Sequence, residues 1–220
     1  MRIVGATVAV VGDDLGAEVA ARALAAGGVG KVRLVRRSGA LPEHVAAAVS
    51  GSNPEVELAV VSWPAPGAGA GWLAVLGGCQ AVVRVGFDDD PLLRAAVRLG
   101  VPVVVLRVTA NAIDIVSFRH HGPCPHASLD APDVAASSPP GDGAAAVVAG
   151  ELAAAEILLL LAGVEGGTAR ARHTRLPLGG GDARSTDLPW TPECFACGGS
   201  GSEMSFTNDD TSAERAGSQA

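Results

Sequence analysis

Short apolar runs alternate with helix-length segments through the first half of the chain. "RIVGATVAVVG" closes in a continuous apolar stretch with a glycine behind it, the pattern of a central parallel strand. "AEVAARALAAGG" is helical and stops at Gly27–Gly28, and "KVRLV" reads as a second strand. "LPEHVAAAVSG" predicts a helix ending near Gly51, and "VELAVVSW" a third strand. "PAPGAGAG" is a flexible link to the short helix "WLAVLGG". "QAVVRVG", "DPLLRAAVRLG" and "VPVVVLRV" then give strand, helix and strand. Strands that alternate with helices of this length fold as right-handed βαβ units around a parallel sheet.

The rhythm then changes. "VPVVVLRVTANAIDIVSFRHHG" predicts two strands joined around Ala110–Asn111, where asparagine tolerates the left-handed conformation of a tight hairpin. A Pro-, Ser-, Gly- and Asp-rich loop spans Asp130–Asp142, before the apolar run Gly143–Gly163. That run is long enough to cross a bilayer, but Glu151 and Glu156 interrupt it and alanine dominates, which favours a buried helix. Residues 164–191 read as irregular with weak strand signals, and the polar, low-complexity residues after Gly198 as a disordered tail. The expected organisation is an α/β domain over residues 1–163, a Rossmann-like, mostly parallel sheet with helices on both faces and a C-terminal antiparallel hairpin. An irregular segment over 164–198 and a tail over 199–220 follow.

Composition narrows the function. The net charge of −7 argues against a general nucleic-acid binder, which needs a basic stripe. The N-terminus lacks the charged region, apolar region and cleavage site of a signal peptide, so a cytoplasmic location is expected. In that compartment the four cysteines are better read as thiols or metal ligands than as disulfides.

Six pieces, in order over residues 5–198, carry a resemblance. They are the strand, glycine turn, helix and "GVGKVRLV"; "SNPEVELAVV"; "QAVVRVGFDDDPLLRAAVRLGVPVVV"; "GPCPH"; "VVAGELAAAEILLLLAG"; and "PECFACG". Together they resemble the E1-like superfamily of ThiF and MoeB adenylyltransferases and the activating enzymes of ubiquitin-like proteins. The segment "VPVVVLRV…AIDIVSFRHHGPCPH…LD" is similar to the E1-like proteins that accompany YcaO-type cyclodehydratases in azoline-forming peptide biosynthesis. Many of those proteins carry an N-terminal peptide-recognition domain, expected to be absent here because the chain opens on its first strand.

The resemblance implies an ATP site, and the residues depart from it. The superfamily's turn reads G-x-G-G-L-G; here it is "GDDLG", Gly12–Gly16, one residue shorter and with Asp13 and Asp14 in place of glycines. Glycines let backbone N–H groups approach a phosphate, whereas a carboxylate near one costs roughly 4 kcal/mol at 4 Å and an effective dielectric near 20. The structural alternative is that Asp14 only caps the helix. The second strand should end in an acid for the ribose hydroxyls and ends instead in Arg36 and Arg37, which leaves a 2′-phosphate reading open. No lysine or arginine lies between Ser38 and Val83, where the resemblance implies phosphate-binding cations. Asp88 matches the magnesium-binding aspartate, although Asp88, Asp89 and Asp90 also suit a helix N-terminus.

Cys194 and Cys197 form a C-x-x-C knuckle with zinc spacing. The other half-site reads "HHGPCPHA": Cys124 is present, Ala127 stands where a second cysteine is implied, and His126, His121 or His120 could supply the fourth ligand. The set Cys124, His126, Cys194 and Cys197 is therefore the expected zinc site, against a remnant of plain thiols. Cys79, in a glycine-rich turn, receives no role. The expected function is a degenerate E1-like pseudoenzyme, binding zinc but not ATP and Mg²⁺. It would act as a homo- or heterodimeric partner of a precursor peptide, a YcaO-type enzyme or an active E1-like enzyme, with no nucleic-acid or membrane partner. The alternative is an active adenylyltransferase of a peptide or carrier-protein carboxylate.

Overall fold

A computed structural model describes residues 3–65, 69–86, 90–118, 143–163 and 171–188. A short 3₁₀ turn, Ile3–Gly5, precedes strand β1 (Thr7–Val11). Then come α1 (Leu15–Ala26), β2 (Lys31–Arg36), α2 (Glu43–Ser52), β3 (Glu57–Ser62), α3 (Gly69–Leu76) and β4 (Ala81–Val85). The chain continues through α4 (Asp90–Leu99), β5 (Val103–Val108), β6 (Ala112–Phe118), α5 (Gly143–Ala162), β7 (Arg172–Pro177) and β8 (Arg184–Asp187). All eight strands form one sheet of order β3-β2-β1-β4-β5-β6-β7-β8. The pairs from β3 to β5 are parallel and those from β5 to β8 antiparallel.

Alternation along each strand divides the core. Val8 and Val10 of β1 face one layer with Ala17, Ala20 and Leu24 of α1, Val45 and Val49 of α2, and Ala149, Ala153 and Ile157 of α5. Ala9 and Val11 face the other, with Trp72 and Leu76 of α3 and Leu92 and Ala96 of α4. The sheet is therefore covered on both faces, which is why its central strands read as unbroken apolar runs. Helix α1 stops because Gly27 caps it and Gly28 turns at φ 84°, a conformation that needs no Cβ. Helix α5 is long and apolar enough to cross a membrane by length and composition, and its small residues pack against α1.

One expectation is corrected. Residues 172–177 and 184–187, within the segment expected to be irregular, are strands that extend the main sheet. Their side chains are half-buried or exposed, so they carry no apolar alternation; pairing of β7 with β6 and of β8 with β7 fixes them instead.

Candidate functional site

The strand order reverses between β1 and β4, and in open α/β sheets the crevice beyond the carboxyl ends at such a point is where ligands bind. Gly12 lies there. A Cβ on it would come within 2.9 Å of the Ala17 Cβ and 3.1 Å of the Val85 Cβ, so its glycine serves close packing of α1 and β4. Its N–H donates to the Val35 carbonyl at 3.1 Å. Gly16 is buried at the start of α1, near the Ala146 carbonyl of α5. Asp14 has extended backbone, and its Oδ1 accepts the Ala17 N–H at 3.0 Å, an N-cap that satisfies one donor of the helix's first turn.

Asp13 turns the other way, towards the end of β2. Its carboxylate accepts the Arg37 N–H through Oδ1 at 3.2 Å and Oδ2 at 3.1 Å. Arg36, the last residue of β2, is buried against it: Nε donates to Asp13 Oδ1 at 3.3 Å and Nη2 to the Asp13 carbonyl at 3.3 Å. The remaining arm, Nη1, donates to Glu18 Oε1 of α1 at 3.0 Å. His44 of α2 meets Glu18 Oε2 at 3.2 Å. The signs are thus the reverse of a dinucleotide site, which sets an acid at the end of the second strand and bare N–H groups in the turn. Each of the three guanidinium nitrogens thus donates to Asp13 or Glu18, so Arg36 is engaged by the protein itself.

The opposite face of the same edge is cationic. Trp63, just after β3, donates its backbone N–H to the Arg36 carbonyl at 2.8 Å. Its ring has the Arg37 and Arg84 guanidinium carbons each at 4.6 Å from the centroid, within cation–π range, and meets Trp72 edge-on at 5.5 Å. Arg84 of β4 and Arg107 of β5 are buried in otherwise apolar strands. Asp114 of β6 is fully buried opposite Arg107; its Oδ1 meets His173 Nε2 at 2.8 Å and Arg175 Nη1 at 3.9 Å. Sequence reading missed Arg84, Arg107, Asp114 and His173. The available signal was a single charge inside an apolar strand, as in "AVVRV" and "AIDIV".

The structure brings Gly12, Gly16 and Arg36 together around one turn. Asp88 and the expected zinc set of Cys124, His126, Cys194 and Cys197, with His120 and His121, lie outside the described residues. Among the described residues no group of three or more His, Cys, Asp or Glu side chains is placed to hold a metal. Cys79 is buried on the α3–α4 side, and burial pushes its thiol above the ordinary value, with Arg33 and Lys31 opposing, which disfavours the reactive thiolate.

No protein-family model matches the sequence, and no curated protein matches it. Solved structures do match the fold. E. coli MccB solved with a MccA species aligns over 89% of this chain and 67% of MccB, at 12% identity and a TM-score of 0.71. MccB solved with ATP aligns over 89% and 68%, at 13% identity and 0.70. PaaA aligns over 85% of this chain and 65% of its own, at 14% identity and 0.67. One MccB structure is described as that of a microcin biosynthetic enzyme. The fold is therefore E1-like, and the chain spans about two thirds of the length of these neighbours.

Proposed function

We propose that this protein is a non-catalytic, E1-like component of peptide modification. It would bind a precursor peptide and a companion enzyme, of YcaO or active E1 type, rather than consume ATP. The observation that carries this reading is the Asp13–Arg36–Glu18 cluster, which sets the protein's own ion pairs at the end of β2, where a nucleotide site would hold the ribose. The same pairs oppose a 2′-phosphate at Arg36. MccB's solved complexes with MccA support a peptide as the partner class. The second reading, an adenylyltransferase, is favoured by the MccB–ATP complex and by Arg37 and Arg84 at the carboxyl edge.

Calorimetric titration with ATP and Mg²⁺, together with pyrophosphate exchange in the presence of candidate peptides and the companion enzyme, separates the two. We expect no exchange and no low-micromolar binding; either result would favour the adenylyltransferase. Exchange should also stay absent in the Asp13→Gly/Asp14→Gly double variant, because Arg36 keeps Glu18 as its partner.

Zinc is the second part of the proposal. Cys194, Cys197, Cys124 and one of His126, His120 or His121 would hold one ion per chain in tetrahedral geometry. Elemental analysis of protein purified without chelator should give about one zinc per chain, and Cys194→Ser should release it. Zinc-free wild-type protein would leave the knuckle as plain thiols.

A further inference from the structure

Among the described residues, strand β8 is the outer edge of the sheet, and its residues Arg184, Ser185, Thr186 and Asp187 are all exposed. The Leu188 N–H donates to the Ala171 carbonyl at 2.9 Å, and these residues are opposed in the same antiparallel ladder. Hydrogen-bonded pairs alternate along such a ladder, so residues 184 and 186 turn their backbone groups inward to β7. Ser185 and Asp187 point theirs outward.

The register gives this edge a sign. Directly opposed residues run Arg107, Asp114, Arg175 and Arg184 from β5 to β8, on one face of the sheet. Asp114 is the single acid in that row. Arg184 faces Arg175 as a like charge, a pairing that destabilises a sheet, and Arg184 makes no ion pair among the described residues. A further strand carrying a carboxylate opposite Arg184 would restore the alternation of charge. The chain as a whole is acidic at −7, so the face of this edge that carries Arg175 and Arg184, with Asp187 on the opposite face, is a local attraction for an acidic partner.

We propose that the outer edge of β8 receives an extended, acidic segment of the peptide partner by strand addition. Main-chain hydrogen bonds to Ser185 and Asp187 would hold it, and a glutamate or aspartate would face Arg184. This rests on the reading that a peptide is the partner, but not on whether ATP is used.

The test uses a fluorescein-labelled peptide of alternating threonine and glutamate, with a threonine–lysine peptide as control, in polarisation titrations of the full chain at low salt. The acidic probe should bind at least roughly tenfold more tightly than the basic one. Arg184→Glu should reverse that preference. Ser185→Pro removes an outward N–H and spares the inward ladder, so it should weaken the acidic probe roughly tenfold while Ser185→Ala leaves it unchanged. No binding of the acidic probe to wild-type protein, or equal binding to Ser185→Pro, would overturn the proposal. So would a self-association abolished by Ser185→Pro, which would assign the edge to a second copy. Pyrophosphate exchange with an intact probe preference would sink the non-catalytic reading alone.

Discussion

Arg36→Ala is expected to lower stability by about 3 kcal/mol, near the low end for removing one partner of a buried ion pair. The guanidinium is 9% exposed and Glu18 17%, so removing Arg36 leaves Glu18 in the crevice with only the exposed His44 near it. Asp13, at 35% exposure, can turn to water and contributes less. The melting midpoint should fall by roughly 6–12 °C for a domain of this size. Arg36→Met isolates charge from packing, and its cycle with Glu18→Gln should give a coupling energy of about 1 kcal/mol or more. Additive effects in that cycle, measured by urea denaturation, would show that the pair is not a unit. The variant is not expected to gain nucleotide binding, since Asp13 and Glu18 would then face the phosphates bare.

Gly150→Val should be as damaging, at about 3 kcal/mol or more. A Cβ at this position of α5 would stand 2.5 Å from the Gly16 carbonyl oxygen and 2.9 Å from the Val19 Cβ. The first obstacle is backbone, so relief requires α1 to move away from α5 and to drag the Gly12–Gly16 turn with it. Gly51→Ala is the opposite case. It lies in α2 with nothing within 4 Å of a Cβ, and should gain roughly 0.5 kcal/mol from helix propensity. Chemical denaturation of both variants checks the pair. A Gly150→Val protein as stable as the wild type would mean that the two helices do not meet so closely.

The parallel half of the sheet was legible because burial on both faces writes continuous apolar runs, and Gly12, Gly27 and Gly28 punctuate them. The β5–β6 hairpin was legible through Asn111; in the structure Thr109 Oγ1 accepts the Asn111 and Ala112 N–H groups across that turn. Strands β7 and β8 gave only weak signals, because "RHTRLP" and "RSTD" have no buried face of their own: β7 takes its shape from β6, more than fifty residues earlier, and β8 from β7. The sign change at Arg36 was visible, and so was the cap at Asp14. That Glu18 and Asp13 would close on Arg36 was not, since it depends on how α1 crosses the end of β2. Reading the stretch between Ser38 and Val83 as poor in cations was correct, but it drew attention from Arg84 and Arg107, which enter the same edge from the strands that follow.

The placement of α5 has a consequence for synthesis. Strand β1 is central, yet its α1-side cover is completed by Ala149, Ala153 and Ile157, near the end of the described core. A ribosome that has released only residues up to 142 holds a nascent sheet with Ala20, Leu24, Val104 and Leu106 lacking their covering helix. The chain must shelter that surface, alone or with a chaperone, until α5 has cleared the exit tunnel.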